Sequence, residues 1–393
     1  SHCFMTRKKP RILNKIYDLE DLEVHAKKHV PKPVFGYVSG GAERNHTLRN
    51  NAEDFANYKF VPNILRNVSE RSTKTEIFGR QWNAPFGISP MGVSALAAYR
   101  GDIVLADAAQ KMNIPMVISG SSLIPMEEII KLAPGTWFQA YLPGEHDKVE
   151  NLVLRVKKAG FETLVLTVDV AVLAGRENNL RNGFSTPLRP SFSLLYQGLT
   201  HPNWSMNTFL KTIFKHGMPH FENFLAERGE PVFSASINRD FGKRSNLNWE
   251  HLKQIRKLWD GNLIVKGILN KGDALKAINL GADALIISNH GGRQLDSAIS
   301  SIKALENIRP HVKGDCKLFV DSGFRRGTDI IKALALGADF VFIGRPFLYA
   351  ASIAGSAGVT HTINLLREEI DRDMALLGVN KIDELGLELL QKY

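Results

Sequence analysis

Cysteine is almost missing: Cys3 and Cys316 are the only two in 393 residues. Such a pair makes neither a disulfide framework nor a zinc-ligand spacing, and a reducing compartment is the simpler reading. Long apolar runs are missing too. The most apolar region, residues 334–359, is broken by Asp339 and Arg345 and is too short to span a bilayer. No secretory signal is visible, and residues 1–4, before Met5, read as an appended leader to be set aside. No Walker loop is present and no G-x-G-x-x-G follows a first strand, so a Rossmann nicotinamide site is unsupported. Acidic residues are in deficit, 40 against 50 Lys and Arg, a net charge of +10. That balance favours anionic partners. No nucleic-acid-binding motif accompanies it, whereas a membrane surface or an acid substrate fits as well.

What is present centres on Ser288-Asn289-His290-Gly291-Gly292-Arg293-Gln294-Leu295-Asp296, which follows the apolar run Ala284-Leu285-Ile286-Ile287. A histidine just past a buried parallel strand is well placed to take a proton, and Arg293 offers a planar fork for a carboxylate. The paired glycines let the backbone turn sharply or approach a flat ligand. Alone, the stretch reads equally well as a glycine-rich turn with a solvated His and Arg. A second signature adds weight: Asp321-Ser322-Gly323-Phe324-Arg325-Arg326-Gly327 and Gly344-Arg345-Pro346 each follow a strand. Two glycine turns carrying arginine on successive strands resemble the phosphate site of a (β/α)8 barrel, with Arg325 or Arg345 supplying charge.

Internal similarity supports that barrel. Residues 276–288 read almost like residues 332–344, and 158–167 and 109–119 repeat the plan loosely: a helix end, a stop, then a short apolar strand. Such repeats mean parallel strands with helical crossovers. Eight candidate strands, at 86–90, 115–119, 136–141, 163–168, 263–267, 284–288, 317–321 and 340–343, predict an α/β fold of the TIM (β/α)8 type. One domain over 5–380 is expected, with a helical leader before residue 60 and Ile363, Leu366, Ile370 and Met374 at helical spacing in a closing helix. The proline-punctuated residues 183–245 form an insertion between strands four and five. Within it Phe209, Leu210, Ile213 and Phe214 fall on one helical face, flanked by Trp204, Lys211, Lys215 and His216. A short basic amphipathic helix of this kind lies in a membrane interface or packs on the barrel.

The motifs at 290–296 and 321–327 resemble the FMN-dependent L-2-hydroxy acid oxidase and dehydrogenase family, and the likeness runs from Tyr37-Val38-Ser39-Gly40-Gly41-Ala42 to Gly344-Arg345-Pro346. Residues 168–177 are nearest to its mandelate dehydrogenase members, and the chain as a whole to the bacterial mandelate and lactate dehydrogenases. The resemblance implies His290 as the base, with Asp169 orienting it and stabilising its charged form. It implies Arg293 and Arg176 clamping the substrate carboxylate with help from Tyr37, Tyr141 bonding the reacting oxygen, and Lys266 stabilising charge on reduced flavin. FMN would be held by Pro90, Met91, Gly92, Ser119, Gln139, Thr167, Lys266 and Ser288, and at its ribityl phosphate by Asp321, Gly323, Arg325, Gly344 and Arg345. No metal is expected.

Gly92 stands where glycolate oxidases carry alanine and Ser121 where they carry tryptophan, so the resemblance implies a pocket opened for an acid larger than glycolate, of the (S)-mandelate or L-lactate type. Residues 200–205 and 216–219 resemble the membrane-associated members. The implied enzyme is a cytoplasmic homotetramer, peripheral at the inner face of the plasma membrane, passing electrons to the quinone pool. The alternatives are a soluble oxidase making H2O2 from O2 and a non-catalytic flavin-binding barrel.

Overall fold

The near-repeat Leu-Gly-Ala-Asp at 280–283 and 336–339 is a structural joint. Helices Lys271–Asn279 and Gly327–Ala335 each run out into a glycine at positive φ, 103° at Gly281 and 107° at Gly337, a conformation that glycine adopts without a Cβ penalty. The aspartate two residues on reaches an amide of the preceding strand. Asp283 Oδ2 accepts from Leu263 N at 2.8 Å, and Asp339 Oδ2 from Leu318 N at 2.9 Å. Each joint thus ends a helix and fixes where the next strand enters the sheet.

The computed structural model describes residues 8–185, 188–233 and 244–393; Cys3 and parts of the 183–245 insertion lie outside them. The barrel strands are β1 (Phe86–Ile88), β2 (Val117–Ile118), β3 (Trp137–Tyr141), β4 (Thr163–Thr167), β5 (Asn262–Ile268), β6 (Ala284–Ile287), β7 (Lys317–Val320) and β8 (Phe340–Ile343). All pair in parallel, β8 pairs with β1, and a bridge between Ile88 and Met116 closes the ring onto β2. This is the (β/α)8 barrel expected from the repeats, with each strand at an expected position.

Side chains alternate across each strand. One set, among them Val117, Trp137, Val165, Ile264, Ile286, Phe319 and Phe342, fills the barrel interior. The other, including Ile118, Phe138, Leu166, Val265, Ile287 and Val320, packs against the surrounding helices. The hairpin Thr75–Ile77 and Arg80–Trp82 caps the end where the strands begin, with Phe78 within 6.0 Å of the Trp137 and Phe319 rings. Two steps beyond the interior residues, at the opposite end, stand Ser119, Gln139, Thr167, Lys266, Ser288, Asp321 and Gly344. The period of two that fills the core therefore aims these side chains into one space.

Leader helices Leu19–His29, Lys32–Ser39 and His46–Glu53 pack outside the barrel, and Tyr37 lies in the second. The last helix, Arg345–Leu377, breaks at Gly355 and buries Ile363, Leu366, Ile370 and Met374 completely. A strand pair that the sequence did not suggest, Tyr58–Phe60 with Leu390–Lys392, ties the segment ahead of the barrel to the segment after its last helix.

The insertion corrects one expectation. Residues 202–216 are helical but pass through a π-helical turn at Ser205–Leu210, which breaks the single apolar face read from the spacing. Phe209 turns inward, stacked on Trp204 at 5.7 Å and edge-on to Phe233 at 5.2 Å, while Trp204 is buried and donates to the Leu96 carbonyl at 2.7 Å. Phe214 alone of the four expected residues is well exposed, at 83%. The larger apolar face belongs to the preceding helix, Phe192–Thr200, where Phe192, Leu195, Tyr196 and Leu199 are between 60% and 92% exposed.

Candidate active site

A cavity of about 410 Å3 opens at the carboxyl ends of the strands, where barrel enzymes carry their sites. His290 stands on its wall. It adopts φ 60°, followed by Gly291 at 62° and Gly292 at 72°. A left-handed histidine is strained and persists only where its surroundings fix it. Here Ser288 Oγ accepts from His290 N at 3.0 Å, Ser322 Oγ from Gly291 N at 3.1 Å, and Asn289 Oδ1 from Gly292 N at 3.0 Å. Asn289 is in turn held by Asn51 of the leader at 2.6 and 2.9 Å.

Asp169, two residues past β4, meets His290 Nδ1 at 3.1 Å through Oδ1. With the carboxylate ionised, Nδ1 carries the proton and Nε2 is left as a base. Burial would raise the Asp169 carboxyl, but the charge and hydrogen bond of His290, with Lys266, bring it below its ordinary range. Burial also lowers the His290 imidazole below its usual value, Asp169 pulling the other way and Lys266 and Arg176 adding to the fall. The strand end that lets Asp169 approach is a bulge: β5 slips register between Lys266 and Ile268, and Gly267 has φ 114°. A Cβ on Gly267 would stand 2.8 Å from the Asp169 side chain.

Tyr141, Thr167 and Lys266 share one rung of the barrel. Lys266 is buried, 3.6 Å from Asp321. Burial opposes its charge, yet Asp321, Asp169 and Tyr141 outweigh that and hold its pKa above the ordinary value. Burial raises the Tyr141 phenol, which lies 6.5 Å from the His290 ring, centroid to centroid.

Three guanidinium groups converge beside them. Arg176 donates to the Arg293 carbonyl at 2.8 Å and to Gln294 Oε1 at 2.7 Å. Arg293 donates to the Tyr37, Val38 and Gly40 carbonyls and lies 4.6 Å from the Tyr37 ring centre. Arg345 is bound to the carbonyls of Val38, Gly40 and Gly291. Burial, then Arg293, push Arg176 down to about 10 and Arg345 down to about 9. Cations that depress one another in a low-dielectric pocket favour an anion between them.

The expected residues divide in two. Tyr37, Pro90, Met91, Gly92, Tyr141, Arg176, Lys266, His290, Arg293, Asp321, Gly323, Arg325, Gly344 and Arg345 line the cavity, whereas Ser119, Gln139, Thr167, Asp169 and Ser288 stand behind its wall. Three of the latter carry buried polar atoms without a hydrogen-bond partner among the described residues, Gln139 Nε2, Thr167 Oγ1 and Asp169 Oδ2. Neighbouring strand ends holding an idle donor and an idle hydroxyl above a buried lysine suit the polar edge of a flat heterocycle. Gly92 and Ser121 face each other across the cavity wall, and a Cβ on Gly92 would come within 2.4 Å of Ser121 Oγ, so the serine hydroxyl fills the place next to the glycine. Sequence reading missed Gln294, which also donates to the Asp169 carbonyl at 3.0 Å, and Arg244, which packs over Tyr141. Gln294 lay inside the quoted motif. Arg244 carried no local signal.

A family model described as FMN-dependent dehydrogenase matches residues 26–392. L-lactate dehydrogenase of Ectopseudomonas mendocina is 39% identical over 379 residues, covering 95% of this chain and 98% of that protein. (S)-mandelate dehydrogenase of Pseudomonas putida is 38% identical over 377 residues, 96% and 94% of the two. A crystal structure of the monotopic membrane protein (S)-mandelate dehydrogenase superposes with a TM-score of 0.87 at 37% identity, over 96% of this chain and 100% of that one.

Proposed function

Since the chain belongs to the FMN-dependent dehydrogenase family, we propose that its cavity oxidises an L-2-hydroxy acid of lactate or mandelate type to the 2-oxo acid, using the expected site residues in the roles below. The family's activity is FMN-dependent 2-hydroxy acid oxidation. FMN supplies the two-electron acceptor when bound. Gln139, Thr167 and Lys266 would hold its ring, with Ser119 and Ser288 behind them. Asp321, Gly323, Arg325, Gly344 and Arg345 would hold its ribityl phosphate.

The observation that carries the reading is the His290–Asp169 pair at 3.1 Å, in a cavity that His290 lines together with Arg176, Arg293 and Tyr141. The two arginines hold the substrate carboxylate as a fork, with the Tyr37 hydroxyl assisting. Tyr141 donates to the C2 oxygen. His290 Nε2 accepts a proton as the alcohol carbon becomes a carbonyl, and Asp169 stabilises the imidazolium that results. Lys266 keeps a positive charge at the same level. The absence of a larger side chain at Gly92 and at Ser121, both on the cavity wall, favours an acid larger than glycolate, and the aromatic wall of Phe184, Phe221 and Phe224 would pack its side chain.

Among the described residues no helix is long and apolar enough to cross a membrane. The exposed face of Phe192–Thr200 and the net charge of +10 support docking of the insertion on an anionic membrane surface, and the solved neighbour is by its name a monotopic membrane protein. The inner face of the plasma membrane, a quinone acceptor, a homotetramer and one domain over 5–380 complete the proposal. Its test is anaerobic bleaching of bound flavin by glycolate, lactate, long-chain 2-hydroxy acids and mandelate. Bleaching fastest with lactate or mandelate is expected. A preference for glycolate over every larger acid removes the pocket argument, and no bleaching by any acid removes the enzymatic one.

A further inference from the structure

The end of the insertion returns to the site. Arg244 opens a short turn, Arg244–Asn246, just before the helix that precedes β5. It is buried, at 8% exposure, and it lines the cavity. Its guanidinium carbon lies 5.0 Å from the centre of the Tyr141 ring and 5.5 Å from that of Phe224, and those two rings are 6.0 Å apart. A cation over the face of a phenol withdraws electron density from the ring and sharpens the hydroxyl as a donor. Out of water the effect is larger than at a surface.

We propose that Arg244 is a positioning residue of the reaction, fixing the Tyr141 ring from one face and strengthening its hydroxyl as the hydrogen-bond donor to the substrate C2 oxygen. The inference rests on the reading of Tyr141 as that donor. It gives the carboxyl end of the insertion a role in the chemistry that is separate from any contact the insertion makes with a membrane. Phe224, on the same insertion, packs beside the Tyr141 ring and lies 5.5 Å from the same guanidinium carbon. Because the contact is with the ring, a second positive side chain of similar reach can replace it in part, whereas a neutral one of similar volume cannot.

The test uses the FMN-loaded enzyme and reads anaerobic flavin reduction by L-lactate and by (S)-mandelate in Arg244→Met, Arg244→Gln, Arg244→Lys, Tyr141→Phe and the double variant of Arg244→Met with Tyr141→Phe. A desolvated cation–π contact predicts about a tenfold lower limiting rate in the two neutral variants, with substrate affinity and FMN content unchanged and partial recovery in Arg244→Lys. In the Tyr141→Phe background, Arg244→Met should cost little more, because the group it acts through is gone. If Tyr141→Phe slows reduction while the neutral Arg244 variants do not, or if the two losses simply multiply, the proposal is overturned and the Tyr141 reading stands. If Tyr141→Phe reduces at the parent rate, both fall. Should Arg244→Met lose flavin or fail to fold, Arg244→Gln and Arg244→Lys carry the comparison, and equal losses in those two mark a packing role and overturn it.

Discussion

In the proposed reaction His290 is a buried base that works by being neutral, and burial sets the pH range in which it can. Its pKa lies below the ordinary histidine value, so the rate of flavin reduction should rise with pH through a midpoint below about 6.5 and then level off. Removing the negative charge in Asp169→Asn takes away the influence that raises this pKa. The midpoint should move further down while the plateau falls, since nothing then stabilises the imidazolium; a midpoint that moves up contradicts the assigned pairing. His290→Gln should retain FMN and lose turnover by about a hundredfold or more, the usual worth of a positioned base. Arg293→Lys keeps charge but gives up the planar fork, and both KM and kcat should suffer. Unchanged kinetics there would leave Arg176 holding the carboxylate alone. His290 and Arg293 were readable beforehand because they sit in a short glycine-rich stretch after an apolar strand, whereas Asp169 and Arg176 came through the family resemblance. Arg244 and Asn51 were not, since each reaches the site from a distant part of the chain and neither lies in a pattern that periodicity can detect.

Among elements, the bulge in β5 and the helix Phe192–Thr200 make opposite demands. At Gly267 an alanine would need φ 114° and would press on Asp169 at 2.8 Å. Gly267→Ala should lower stability by about 1–3 kcal/mol and slow reduction by displacing the carboxylate behind His290. Chemical denaturation with a rate measurement checks both, and a fully active variant would show that the bulge is not what seats Asp169. The helix at 192–200, by contrast, packs none of its large side chains fully, so Phe192→Ser with Leu199→Ser should release the enzyme from anionic vesicles and leave flavin reduction intact. Phe209→Ser should instead cost stability, because its ring sits between Trp204 and Phe233. The eight strands were legible in sequence because each is a short apolar run, and six of them, β3 to β8, follow a glycine within three residues. The apolar face of the insertion was misplaced because a π-helical turn resets the angular order of side chains, and helical spacing cannot foresee that.

For the whole molecule, the cavity is a site that cofactor and fold hold jointly. Saturating FMN added to stripped enzyme should raise Tm by several degrees, as any ligand of the native state alone does. Absence of a shift would mean that the cavity does not bind it. The net charge of +10 adds a salt dependence to membrane association: binding to anionic vesicles should weaken in part at high salt, where the Debye length is about 3 Å at 1 M, and persist through the apolar helix. Complete release by salt would reduce the helix to a bystander.

The ring itself imposes an order on synthesis. β1 is among the first strands to emerge from the ribosome, yet its partner on one side is β8, among the last. Until Phe340–Ile343 has been made, β1 and β7 both present open edges, and the floor hairpin has no Phe340 or Phe342 to cover. The nascent chain must therefore wait through most of its own translation in an unclosed state, where exposed strands invite association with other chains. A chain stalled before β8 should remain protease-sensitive throughout its barrel, and the strand pair Tyr58–Phe60 with Leu390–Lys392 can form only after β8 has been made.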